Sequence, residues 1–258
     1  MVTRLAFWRK EEVEAGAERH THPGMLSDFI LGSQDGIVNV LAVLLGVAAG
    51  AMQQYAGLPG SASVVFKVVL AGGLAATFGE SISMGAVAYT STLARHDHYL
   101  SELAREEREM RELPDLERQE VREVFQRWGF EGTELEAAVG HIISKPKAWL
   151  EFMMAHELGL APLEDNQARK SAILVGFAAI FGSVIPLLPF LVFSSDIILG
   201  MIGSVVVAAI VLFVIGWYKG RITLGRPYRS GTQMLIIGIV SALAGFLIAY
   251  VVGAPPTP

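Results

Sequence analysis

The sequence predicts an all-α membrane protein: five membrane-spanning helices, with a water-soluble helical domain inserted between the second and the third. Three observations carry this. Apolar residues make up 52% of the 258-residue chain and mean hydropathy is +0.47; these residues fall in blocks about 20 long, the length a bilayer demands of a helix. Residues 94–168 hold 17 of the 25 acids against 9 of the 20 basic side chains, so a module of net charge −8 interrupts an otherwise mildly basic body. From Ser61 to Leu113 an apolar block passes into a charged one without a proline. As one helix, about 50 residues at roughly 1.5 Å each make a rod on the order of 80 Å.

Composition narrows the partners. An acidic module favours cations and disfavours nucleic acid. The chain has no cysteine, which excludes disulfides and thiolate metal sites and leaves Met or His as soft ligands.

Residues 1–27 carry acids throughout and lack a continuous apolar core, so they do not read as a signal peptide. They form either an amphipathic arm at the interface or a disordered leader, and His20 and His22 there are not expected to hold metal tightly. Residues 28–93 contain the first two spans. The first opens DFILGSQDGIVNVLAVLLGVAAG, in which Asp28, Asp35 and Asn39 form one polar stripe at helical spacing. Asp28 reads as a cap at the interface. Asp35 lies about two turns further in, where an acid costs about 2.5 to 3.5 kcal/mol and is kept for a cavity, a partner or an ion path. Gly32 and Gly36 make a GxxxG pair, expected to bring a second subunit's copy of this helix close. In the second span Thr77, Glu80, Ser81 and Met84 share a face, and Glu80 at mid-helix is the functional candidate.

Residues 94–168 read as a folded helical domain. The first helix breaks at Pro114; Asp115 caps a second that ends before Gly129; Thr133 and Glu136 suggest a capping box for a third; Pro146 opens a fourth. Apolar faces at Val121, Val124, Phe125, Ala137, Val139, Ile142, Trp149 and Phe152 can close a small core. Residues 169–258 supply three further spans, near 170–193, 197–218 and 231–252. Arg169, Lys170, Lys219, Arg221, Arg226 and Arg229 all fall on one side, which places the N-terminus and the acidic domain in the cytoplasm and the C-terminus across the membrane. Five spans without an internal repeat suggest a dimer as the source of symmetry.

The acids of the soluble domain have ligand spacing. Glu102, Glu106 and Glu109 share one face, Glu117 and Glu120 another, and Met153, Met154 and Glu157 lie within one turn of EFMMAHELGL. Part of this pattern equally suits a solvated helix, where Arg105, Arg108 and Arg111 alternate with acids as i, i+3 and i, i+4 partners. Carboxylates with thioethers suit Fe(II), Mn(II) or Co(II) better than Mg(II) or Ca(II). A ferritin-like oxidase would want Glu-x-x-His pairs, and none of the six histidines has a Glu three residues before it. Transport or sequestration is therefore preferred to an enzyme.

Three stretches resemble the vacuolar iron transporter family: GSQDGIVNVLAVLLGVAAG in the first span, SISMG followed by HYLSELAREEREMRELPDLERQEV, and AWLEFMMAHELGL before three closing spans. The resemblance implies a homodimer of five-helix subunits that exchanges Fe(II), or Mn(II), Co(II) or Zn(II), for protons, with no tightly bound cofactor. It implies a path past Asp35 and Met84 and metal collection by Glu106, Glu109, Glu117, Glu120, Met153, Met154 and Glu157. One position departs from the family pattern: Ala76 stands where the family places a Glu two turns before the Met, and Glu80 stands one turn before it. The expected activity is proton-coupled export of iron(II), with Asp35, Met84, Glu80 and Asp28 along the path. The plasma membrane is the expected location, since no targeting segment is seen. A membrane-anchored metal buffer or sensor is the alternative.

Overall fold

The computed structural model describes residues 23–222 and 225–253. The N-terminal arm expected over residues 1–27 lies almost wholly outside them. Among the described residues the chain is helical with no strand: α1 (Pro23–Gln54), α2 (Ser61–Glu112), α3 (Pro114–Arg127), α4 (Gly132–Ile143), α5 (Pro146–Phe152) continuing into a π-helical turn (Met153–Glu157), α6 (Gln167–Val192), α7 (Ile197–Ile222) and α8 (Pro227–Gly253). Five of these, α1, α2, α6, α7 and α8, are long and apolar enough to cross a membrane. Helices of this kind satisfy every backbone polar group internally, as hydrocarbon requires. The chain is a multi-pass membrane protein, and it divides into two compact units, one ending at Ala86 and resuming at Ser171, the other Val87–Lys170.

In the first unit α1 is the hub. Its inner residues join two apolar clusters, one with Val65 and Val69 of α2, Leu187 and Phe190 of α6 and Ile197 of α7, the other with Ala208 and Leu212 of α7 and Ala242 of α8. Large apolar side chains such as Phe177, Ile202 and Val240 point outward, more than half exposed, as they do where the surroundings are lipid rather than water. At the end of α7 the Arg221 guanidinium lies 5.3 Å from the centre of the Trp217 ring, an amphipathic pair suited to a headgroup layer.

The glycine pair has a different partner from the one expected. A Cβ on Gly32 would overlap the carbonyl of Val175, and one on Gly36 would overlap that of Ala179 and reach within 2.8 Å of Ser183 Oγ. On the facing helix a Cβ on Gly182 would overlap the Ser33 carbonyl. The GxxxG face is therefore filled by α6 of the same chain, and it does not bring a second subunit's α1 alongside. Backbones that meet this closely gain dispersion contacts that lipid cannot match. Gly182→Leu drives a side chain into the Ser33 backbone, which cannot rotate away. It is expected to cost at least the upper end of overpacking, about 3 kcal/mol, read as loss of monodisperse protein in detergent, while Gly79→Leu, at a position with no neighbour within 4 Å, leaves the yield unchanged.

In the second unit the core is Val121, Val124, Phe125, Leu135, Val139, Trp149, Phe152 and Met153. Ala137, expected in it, is exposed; Leu135 and Ala138 face inward instead, a rotation of the assumed apolar stripe. Two expected caps are also corrected. Leu113 is the residue before α3 and Pro114 occupies its first turn without a side-chain cap, because proline's missing N–H costs nothing there; Asp115 lies inside the helix. Glu131 precedes α4, again without a side-chain cap, and Glu136 does not reach back to it: both its oxygens accept from Arg122 Nη2 at 2.8 Å. That bidentate geometry is the stronger use of a carboxylate. Pro146 opens α5 as expected, and Gly129, with φ of 89°, ends α3.

Candidate functional site

The second unit brings three acids from three elements together. Glu106 on the charged part of α2, Glu117 on α3 and Glu157 at the end of the π-helical turn each offer an oxygen, all within 4.8 Å of one another. Glu106 and Glu117 are 4% and 2% exposed, and one oxygen of each is buried with no hydrogen-bond partner. A carboxylate left so costs free energy unless something positive joins it. Glu157 forms the open side. Burial first, then the charges of Glu120, Glu106, Glu157 and Glu109, push the Glu117 carboxyl up to about 8. Burial and the charges of Glu120, Glu106 and Glu109 push Glu157 up to about 7, against a smaller opposing effect of Arg105. Glu120, half-buried beside Glu157, is raised mainly by burial and by Glu109. The site is thus three carboxylates in one cage, with a fourth at its rim and protons held where a divalent ion would fit.

The other expected ligands are distributed differently. Arg105 donates from Nε to Glu109 at 3.1 Å and lies 3.7 Å from Glu102, so both acids pair with an arginine on their own helix. Met153 is fully buried among the core residues, and Met154 is 2% exposed. The π-helical turn was not legible in MMAHE. There Leu158 N bonds Met153 O at 3.2 Å, one residue beyond the α register, and such turns recur at functional sites. It turns Glu157 toward Glu106 and Glu117 while Met153 stays in the core.

In the membrane unit, Glu80 of α2 meets the polar stripe of α1. Asn39 Nδ2 donates to Glu80 Oε1 at 3.0 Å, and Asp35, one turn earlier on α1, is within hydrogen-bonding reach of the same carboxyl. The expected neighbours on Glu80's own face are engaged elsewhere: Thr77 Oγ1 donates to the Gly73 carbonyl at 2.8 Å and Ser81 Oγ to that of Thr77 at 2.6 Å. Met84 stands one turn beyond Glu80 and is half-buried. Asp28 is not a cap. Helix α1 begins at Pro23, and Asp28, inside it, accepts a 2.6 Å bond from Ser171 of α6. Asn39 is the residue that reasoning from sequence left without a role, although its place one turn after Asp35 was visible.

Comparison with known proteins gives a consistent answer. The model of a family described as "VIT family" matches residues 26–250. Vacuolar iron transporter 1 of Arabidopsis thaliana is 33% identical over 254 residues, covering 97% of this chain and 96% of that protein. Vacuolar iron transporter 2 of Oryza sativa subsp. japonica is 36% identical over 230 residues, 89% of this chain and 88% of that one. Protein CCC1 of Saccharomyces cerevisiae is 25% identical over 251 residues, 94% of this chain and 74% of its own length.

Proposed function

Since the chain belongs to the VIT family, two of whose relatives above are named vacuolar iron transporter, we propose that it carries iron(II), and secondarily manganese(II), out of the cytoplasm in exchange for protons. The observation that carries the reading is the Asp35–Glu80 pair, two carboxyl groups side by side between membrane helices. An anchor for a metal buffer has no use for intramembrane acids, whose insertion is costly. Protons and a divalent ion compete for the same oxygens, which is the physical basis of exchange. The Glu106, Glu117 and Glu157 cage collects the ion on the cytoplasmic side, with Glu120, Glu109, Glu102 and the two methionines as its surroundings; Asp35, Glu80 and Met84 pass it on, and Asp28 stands at the entrance of the first span. Co(II) and Zn(II) have the charge and size to compete.

A homodimer is part of this reading. With the glycine face of α1 filled from within the chain, its support is the site itself, which two carboxylates from one chain leave short of a full ligand set. The membrane is proposed to be the plasma membrane; two of the relatives above are named vacuolar, and export across either membrane takes the ion out of the cytoplasm.

The deciding experiment is metal flux: sealed vesicles containing only this protein and holding an acidic lumen should take up Fe(II) as protons leave, so that the lumen alkalinises with uptake. Binding without flux would favour the buffer. Orientation is checked with introduced cysteines, since the chain has none of its own. Ser61→Cys and Ser195→Cys are expected to react with an impermeant thiol reagent outside intact cells, and Ser101→Cys and Ser230→Cys only after lysis; the reverse pattern would invert the direction of transport.

A further inference from the structure

We infer that Asn39 is a positioning residue of the intramembrane site: its amide holds the Glu80 carboxylate against Asp35, so that the two acids present themselves as one preformed receptor for a divalent cation. This rests on the transport reading above and deepens it.

The argument starts from repulsion. Two carboxylates on different helices drive each other apart in a medium of low dielectric constant, and a four-bond side chain such as Glu80 has the freedom to swing away. Asn39 opposes that swing. It sits one turn beyond Asp35 on α1, so Asp35 and Asn39 flank Glu80 from the same helix, one contributing charge and the other an N–H donor at 3.0 Å. Hydroxyl donors that could have held Glu80 from α2 itself, those of Thr77 and Ser81, are given to backbone carbonyls. Among the described residues, Asn39 is the neutral side chain that donates to Glu80. A neutral amide is also the right chemistry for the task. A Lys or Arg there would cancel the charge a metal needs, and an aliphatic residue would leave the carboxylate unrestrained. Asn39 itself is exposed, one turn beyond Gly36 on the same face of α1, so its side chain is not buried in the packing of the bundle.

The test is Fe(II) flux into vesicles under reducing conditions, measured as half-saturating concentration and maximal rate separately. Asn39→Ala removes the donor at an exposed helical position and is expected to raise the half-saturating Fe(II) concentration about tenfold, the factor expected for a lost hydrogen bond to a charged group. Asn39→Gln keeps the amide on a longer arm and is expected to bring that value back to within about threefold of the parent. A residue that merely stabilised the helix would lower yield or maximal rate and leave half-saturation where it was. Parental half-saturation in Asn39→Ala, or an Asn39→Gln no better than Ala, would overturn the inference while leaving transport intact. Should Asn39→Ala fail to assemble, Asn39→Ser, polar but too short to reach Glu80, decides by the same two numbers. A parent protein that moves no Fe(II) at all would remove the transport reading, and this inference with it.

Discussion

Vesicles containing Asp35→Asn are expected to lose Fe(II) flux by at least about 100-fold, the scale on which removing groups around a bound metal acts, and to lose coupled proton movement with it. The substitution keeps the shape of the side chain and its ability to hydrogen-bond Glu80, and removes the charge and the exchangeable proton. Assembly should survive, because Asn is less costly in a membrane than Asp and because the crossing that organises α1 uses Gly32 and Gly36 against α6, a stripe adjacent to the one carrying Asp35. Metal binding by the Glu106, Glu117 and Glu157 cage should survive as well, since none of its ligands changes. A folded Asp35→Asn protein that moves Fe(II) at near the parental rate would show that the path does not pass this residue.

The second large effect concerns the cage. Replacing Glu106 and Glu117 together by Gln removes two of its three converging carboxylates and is expected to weaken Co(II) or Mn(II) binding to the whole protein by at least about 100-fold, read by calorimetry. The control is Glu102→Gln with Glu109→Gln, acids already committed to Arg105, which should change affinity far less. Parental binding should fall as pH drops from 8 to 6, because Glu117, raised to about 8, and Glu157, raised to about 7, take up protons that compete with the ion. The stability sign is opposite. Both folded values lie above the ordinary 4.5, so between 4.5 and 8 the folded metal-free domain binds more protons than the unfolded chain and loses stability as pH rises. Metal should therefore protect the domain most at the alkaline end of that interval, and Glu117→Gln should flatten the pH dependence of the metal-free protein. Unchanged affinity in the Glu106 and Glu117 double variant would return these acids to the status of a solvated face.

Much of the architecture was legible because bilayer length, proline and charge are one-dimensional signals. The long apolar-to-charged run of α2, its end before Pro114, and the start of α5 at Pro146 follow from them directly. What escaped was whatever depends on which surfaces meet. A GxxxG pair announces that a helix comes close without saying whose, and here it is α6. Glu136 had the spacing of a capping box but was within reach of Arg122, fourteen residues away on another helix, and a bidentate ion pair won. Of eight expected ligands in the second unit, the spacing rule could not separate Glu106 from Glu102 and Glu109, because only packing against α3 decides which is buried. The bond from Asn39 to Glu80 spans 41 residues and needs the register of two helices, which no local pattern encodes.

The π-helical turn from Met153 to Glu157 has a consequence for how this chain can change. A turn of that kind is what a one-residue insertion leaves in an α-helix, and removing any one of its residues restores the ordinary period. The extra residue is taken up within the turn, so deleting Ala155 would leave Glu157 and the residues beyond it at nearly their present angle around the axis, where the same deletion in a regular helix would swing them by about 100°. Kinship judged by matching letters would score such a deletion as a single gap. For the cage it would change little, because Glu157 would still face Glu106 and Glu117: the turn is a place where the chain can alter its length by one residue without altering its chemistry.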